Sequence, residues 1–269
     1  MTVLSKGSVK STGDYAKPLI SIITVVFNGA GYIEKTIRSI IGQSFENFEY
    51  IIIDGGSTDG TVDIIRDYES SISYWISEND LGIYDAMNKA QQFAVGDFLW
   101  FINAGDEISD MNILMDLSLV AHRNIDYFYS ETKIINRDGL IKKTTVTPVP
   151  LSFSLMTKGM HVSHQSFIPR REIALKYDVQ YNLIADQKWI LDCMVCGKGR
   201  GYFFLRPMSR YMAGGISDIR SLDCVFQKML MIKNEYPSYF LRNLPGFIFE
   251  ASKAFLKTIL RAYSSWLIL

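Results

Sequence analysis

Cysteine is scarce in this chain. Cys193, Cys196 and Cys224 are the only three in 269 residues. Three thiols are too few for a disulfide framework, so a reducing compartment is expected. An excess of one charge is also missing: 28 Lys and Arg face 28 Asp and Glu. With zero net charge, no basic field recruits nucleic acid. No uncharged apolar run reaches the about 20 residues that a bilayer span needs. The first seventeen residues are polar and lack the apolar stretch of a signal peptide. The expectation is a soluble protein, or one lying on a membrane rather than through it. There are no internal repeats and no long low-complexity linker. What remains is globular: 48% hydrophobic and 21% charged residues, with a length that fits one α/β domain or two intimately packed halves.

The informative run lies between Leu19 and Glu107. The apolar strand LISIITVVF ends in Asn28, and YIIID ends in Asp54 and opens into GGSTDGT. After SENDLGIYDAMNKA, the strand FLWFI leads to Asn103 and Asp106. Three buried strands thus deliver polar or acidic groups to one sheet edge, where open α/β sheets bind ligands. Carboxylates at that edge suit a divalent metal carrying phosphates, or a nucleotide base and ribose. Ile33, Ile37, Ile40 and Ile41 give the first helix an apolar stripe. Asp59 or Thr58 can cap the helix TVDIIRDY. Ile83, Met87, Ala90 and Ala94 form the expected buried face of the third helix. The alternation of strand and helix predicts right-handed crossovers and a parallel sheet.

Beyond residue 111 the pattern is less regular: a helix MNILMDLSLVAHR, then IDYFYSETKIIN, a turn at 136–139, and the β-rich LIKKTTVTPVP. HVSHQSFIPR, the helical DQKWILDCMVC and YFFLRPMSRYMAGGIS follow, and the chain is helical from 221 onward.

Each candidate motif has a plain structural reading beside its functional one. Asp54 before Gly55 and Gly56 either points into the crevice or braces its own turn. Asp106, with Glu107, either binds a metal that neutralises a diphosphate or is an ordinary acidic turn pair. The half-matched fingerprint Asn28–Gly31 lacks its third glycine, because Glu34 stands there, and that charge would repel a pyrophosphate. A nicotinamide-dependent reductase is therefore set aside. His161 and His164 have no clear third ligand, which disfavours zinc; His164 and Gln165 could instead line a pocket. Cys193 and Cys196 read as small core residues. Asp186 at a helix start is either a dipole-stabilised carboxylate or a general base aimed into the crevice. Gly214 and Gly215 form a loop over the site or a simple turn.

Seven segments in order, VVFNGAGYIEKTIRSIIGQSF, EYIIIDGGSTDGT, SENDLGIYDAMNKA, GDFLWFINAGD, HQSFIPR, ADQKW and GGIS, resemble the inverting family two glycosyltransferases of GT-A fold. The resemblance covers roughly residues 19–217. It implies an α/β protein with a mainly parallel nucleotide-binding half (18–110) and a mixed acceptor-binding half (111–220). A flexible arm (1–17) would precede them and C-terminal helices (221–269) would follow. It implies a nucleotide-diphosphate sugar donor, a saccharide or lipid-linked acceptor, and Mn²⁺ or Mg²⁺. Val25, Phe27, Asn28, Asp54 and Asp80 would hold the nucleotide. Gly82, Asp85, Asn88 and Asn103 would meet the diphosphate and donor sugar, and Asp106 the metal. His164, Gln165, Gly214 and Gly215 would line the acceptor pocket, and Asp186 matches the catalytic base. Asn103 and Gly105 stand where many relatives have carboxylates, which leaves more of any metal binding to Asp106.

Two other readings stay open at this level. A sugar nucleotidyltransferase would show Arg and Lys directly after the first strand, whereas FNGAGYIE has no basic residue before Lys35. A catalytically inert relative that binds a carbohydrate or a protein is the other. The segment from about Phe247 to Leu269 is expected to be an interfacial helix on the cytoplasmic face of the membrane. It sets Lys253, Lys257 and Arg261 against Phe255, Leu256, Ile259, Leu260, Tyr263, Trp266 and Leu267.

Overall fold

The computed structural model describes residues 4–7, 17–214 and 221–266, with side chains described for 17–214 and 222–256. The first layer is built from β1 (Leu4–Gly7), β2 (Ile20–Val26), α1 (Ile33–Ile41), β3 (Phe48–Asp54), α2 (Thr61–Asp67), β4 (Tyr74–Ser77), α3 (Ile83–Gln91) and β5 (Phe98–Phe101). The sheet order is β1-β4-β3-β2-β5. Strands β2 to β5 run parallel, and β1 pairs antiparallel with β4. Two of these strands were hidden in the sequence pattern. β4 is only four residues long, and β1 lies within the segment whose composition reads as a flexible arm.

The central strands read as apolar runs because both faces of the sheet are covered. Ile23, Val25, Ile51, Ile53, Leu99 and Phe101 enter one core with Met87 and Ala90 of α3. Ile20, Ile22, Tyr50, Ile52, Phe98 and Trp100 enter the other with Ile33, Ile37 and Ile40 of α1. The expected buried face of α3 holds at Met87 and Ala90. It fails at Ile83, which is exposed, and Ala94 is buried beyond the end of the helix. Asp59, not Thr58, serves α2: its Oδ1 accepts the backbone N–H of Thr61 at 3.1 Å.

Register brings the strand ends together. Val26 pairs with Asp54, and Asp54 with Ser77. Past Phe101 the chain stays beside β2, with the Ala104 N–H donating to Val25 O at 3.2 Å. β3 and β4 build outward on one side of β2, and the chain then crosses to β5 on the other. That reversal is the switch point at which a crevice opens.

The second layer comprises β6 (Glu107–Ile108), α4 (Ile113–Ala121), β7 (Tyr127–Tyr129), β8 (Thr132–Ile135), β9 (Ile141–Thr144), α5 (Phe153–Met156), β10 (Phe167–Pro169), α6 (Ala185–Cys196), β11 (Gly201–Phe203) and β12 (Ser209–Met212). These strands form a β10-β7-β11 sheet and a β6-β12-β8-β9 sheet. Aromatic packing locks α6 onto the first sheet. Trp189 is fully buried, stacks on Tyr177 at 4.9 Å and meets Phe101 of β5 edge-on at 5.4 Å. Tyr84 of α3 continues the stack on Tyr177 at 5.5 Å. The start of α6 is thereby held over the ends of β2 and β5.

The chain closes with α7 (Ser221–Glu235) and α8 (Pro237–Trp266). α8 docks through Asn243, Phe247 and Ala254, all buried. Phe247, expected to begin a membrane-facing segment, is thus a core residue. The side chains at 257–269, including Lys257, Arg261, Tyr263 and Trp266, lie outside the described residues. None of the described helices is long and apolar enough to cross a membrane.

Candidate active site

A cavity of about 940 Å³ lies at the switch point, between the two layers. Of the residues expected there, Gly82, Asn103, Asp106, His164, Gln165, Asp186 and Gly214 line it. Gly215 lies outside the described residues. Tyr84, Lys35 and Arg137 line it as well. Tyr84 falls in the Gly82–Asn88 stretch that the resemblance sets near the donor; sequence reading assigned no role to Lys35 or Arg137, and only their position beside glycine turns could have marked them.

The residues expected to hold a nucleotide occupy a neighbouring shelf. Val25 is buried in the sheet, while Phe27 is 62% exposed at the end of β2. A Cβ on Gly55 would come within 2.5 Å of Asp80 Oδ2 and 3.4 Å of the Phe27 ring. Only glycine lets that carboxylate and that ring approach the backbone so closely. Asp80 is set by the Gly82 N–H, which donates to Oδ1 at 2.8 Å. Asn28 adopts a left-handed φ of 49°, which Asn tolerates better than most residues. Its Oδ1 accepts the Thr58 N–H at 3.0 Å, tying the two glycine loops together.

Two expected contacts, Asp54 and Asn88, are used up inside the protein, and Asp85 is partly engaged at the head of α3. Asp54 is fully buried, and its Oδ2 accepts from Gly56 N at 3.1 Å, Ser57 N at 2.9 Å and Ser77 Oγ at 2.6 Å. The carboxylate braces its own turn instead of pointing into the crevice. Asn88 joins the two layers: its Nδ2 donates to Tyr177 O at 2.9 Å, and its Oδ1 accepts Tyr177 N–H at 2.7 Å. Asp85 accepts the Leu81 N–H at 3.0 Å at the head of α3. None of the three lines the cavity.

Asp106 is 5% exposed. Its Oδ1 accepts the Met212 N–H at 3.0 Å and its Oδ2 accepts Gln165 Nε2 at 2.8 Å. Burial pushes its carboxyl up to about 6, against the lowering effect of those two donors and of nearby His164. Glu107 pairs with Arg210 at 3.4 Å. Among the described residues, no three His, Cys, Asp or Glu side chains gather as a metal site. His161 and His164 do not converge: His161 is influenced by Glu250, Lys228 and Lys158, whereas His164 faces Asp186. The donor set among the described residues does not fit a metal centre made by protein side chains alone. Asp106 ties β12 to the end of β5.

Asp186 opens α6 from the other layer. Its Oδ1 accepts the Gln187 N–H at 2.8 Å, and its Oδ2 lies 3.4 Å from His164 Nδ1. The Tyr84 hydroxyl sits against it, pushed well above the usual phenol range by burial and by the Asp186 charge. A half-buried carboxylate, held by fixed donors and facing a cavity, is equipped to take a proton from a bound hydroxyl.

Residues 21–175 match the model of Glycosyl transferase family 2. The chain belongs to that family. The uncharacterized glycosyltransferase Rv1514c of Mycobacterium tuberculosis is 33% identical over 186 residues, which is 66% of this chain and 70% of that protein. The putative teichuronic acid biosynthesis glycosyltransferase TuaG of Bacillus subtilis is 33% identical over 126 residues, covering 46% of this chain and 50% of that one. Among solved structures, S. aureus TarS matches with a TM-score of 0.63 and 17% identity over 83% of this chain, which spans 43% of TarS. TarS 1–349 in complex with UDP-GlcNAc matches at 0.60 with 19% identity, over 84% of this family 2 chain and 72% of that one. The mannosyltransferase PcManGT of Pyrobaculum calidifontis, solved with GDP-Man and Mn²⁺, matches at 0.54 with 12% identity, over 98% and 84% of the two chains. These structures establish the shared GT-A-like architecture.

Proposed function

We propose that this family 2 glycosyltransferase transfers a hexosyl or N-acetylhexosaminyl unit, with inversion, from a nucleotide-diphosphate sugar to a saccharide or lipid-linked acceptor in surface polysaccharide biosynthesis. One observation carries the reading: the donor-side turn Asn103–Asp106 and the carboxylate of Asp186 line the same cavity, from opposite layers of the fold. The nucleoside would lie on the Phe27, Gly55 and Asp80 shelf, where an exposed ring suits base stacking. The diphosphate would reach the cavity wall that carries Lys35 and Arg137. Asp186 then accepts the proton of the acceptor hydroxyl as that oxygen attacks the anomeric carbon. The bond from that carbon to the nucleoside diphosphate breaks, and the nucleoside diphosphate leaves with the bonding pair. A Mn²⁺ or Mg²⁺ ion, as the resemblance implies, finds no ready set of side-chain ligands among the described residues.

Replacing Asp186 with Asn tests this. A general base contributes about 10²–10⁴-fold, so turnover should fall by that order while affinity for UDP or GDP, measured by calorimetry, stays unchanged. Turnover within a few fold of wild type would remove Asp186 as the base.

The acceptor reading carries a location with it. Leu241, Ile248, Phe249, Phe255 and Leu256 are all exposed on α8, on the side opposite the docked Phe247. Lys253 lies over the Phe249 ring at 4.2 Å. An apolar row with cations beside it matches an interfacial helix. We place it against the cytoplasmic face of the membrane, where a lipid-linked acceptor would be met.

A further inference from the structure

Asn103, His164 and Asp186 form a row across the cavity wall, and it has a direction. His164 is 8% exposed and stands between the other two. Its Nε2 lies 3.2 Å from Asn103 Nδ2, and its Nδ1 lies 3.4 Å from Asp186 Oδ2. With the Asn103 amide turned so that Nδ2 faces the ring, the nitrogen donates and Nε2 carries the lone pair. The ring proton then belongs on Nδ1, facing the carboxylate. Asp186 Oδ1 is already held by the Gln187 N–H at 2.8 Å. Oδ2 meets His164, and the Tyr84 hydroxyl also hydrogen-bonds this carboxylate, which still has room to accept a substrate proton.

We propose that His164 is a positioning residue for the Asp186 base, and that Asn103 selects the tautomer in which it works. The proposal rests on the reading of Asp186 as the base. It also accounts for an amide at position 103. A carboxylate there would hold a proton on Nε2, and the ring would then face Asp186 either through a bare Nδ1 lone pair or as an imidazolium. The 3.4 Å separation is long, as catalytic hydrogen bonds commonly are before substrate tightens them. Sequence distance hid the row, since 61 residues separate Asn103 from His164.

Two measurements on the full chain test it. The protein has three histidines, so ¹⁵N imidazole spectra of the wild type and His164→Asn assign the His164 signals by difference. The ring should carry its proton on Nδ1 and leave Nε2 bare. A ring protonated on Nε2, or on both nitrogens, overturns the proposal. The second measurement follows nucleoside diphosphate release from whichever UDP- or GDP-linked hexose or N-acetylhexosamine the wild type consumes. His164→Asn keeps a donor where Nδ1 stood, whereas His164→Gln keeps one only where Nε2 stood. The Gln variant should lose about tenfold or more in kcat. The Asn variant should stay within about threefold of wild type, and donor KM and melting temperature should match wild type in both. Equal loss in the two variants, or loss in the Asn variant alone, overturns the positioning role. Asp186→Asn separates the two levels. If it stays active, the base and its positioning residue fall together. If it is inactive while both His164 variants keep wild-type kcat, only the positioning role falls.

Discussion

Asp106→Asn should make the protein more stable at pH 8 and leave its stability at low pH nearly unchanged. In the fold, Asp106 is buried between Gln165 and the Met212 N–H, and burial raises its carboxyl from 3.8 to about 6. A carboxyl raised on folding favours the native state while it is protonated. That contribution is complete below about pH 3.8 and is lost as the pH rises through about 6. At 1.36 kcal/mol per pH unit, the gap corresponds to about 3 kcal/mol between the two limits. About half of that, roughly 1.5 kcal/mol, is lost between pH 5 and pH 8. An asparagine side chain carries no charge to bury. Its carbonyl can still accept the Met212 N–H, and Gln165 can turn its own amide so that its carbonyl faces the new NH₂. Urea unfolding of both proteins at pH 5, 6.5 and 8 measures the difference. The stability gap between variant and wild type should grow in favour of the variant by about 1.5 kcal/mol across that range. A gap that does not change with pH would refute the reasoning, because it would mean that the buried carboxyl titrates in its ordinary range.

Gly55→Ala places a methyl group against Asp80 and Phe27, so UDP or GDP affinity should fall by about tenfold, near 1.4 kcal/mol; calorimetry showing wild-type affinity would remove the shelf as the nucleoside site. Asn88→Leu leaves both backbone groups of Tyr177 without their partners and should cost about 1–3 kcal/mol of stability. Its UDP affinity should remain unchanged, and a selective loss of binding would restore Asn88 as a donor ligand. Ile248, Phe249 and Phe255 changed together to Ser should abolish flotation with anionic liposomes while the melting temperature holds, and wild-type protein that does not float removes the membrane reading.

The sheet was legible where the chain is locally extreme. ISIITVV, FEYIIID and FLWF are mostly apolar and wholly buried because both faces of a parallel sheet are covered, so β2, β3 and β5 declare themselves by composition. β4 does not, because YWIS alternates buried and half-buried residues over only four positions. β1 sits in a polar arm and is a strand only because the edge of β4 accepts it. Asp186 was recognisable because a carboxylate opening an apolar helix is a local feature. What the residue types alone determined was which groups arrive at the sheet edge: Asp54, Asp80, Asp106 and Asp186 all stand at strand ends, turns or helix starts. Tertiary structure decided how each one is used. Asp54 is consumed by its own loop and by Ser77, Asp106 by Gln165 and Met212, and Asn88 by the Tyr177 backbone 89 residues away. Asp186 is left facing the cavity with His164 and Tyr84 beside it. The physical reason is that a carboxylate's chemistry depends on its donors and its burial, and here both come from chain segments that meet only when the two layers close on each other.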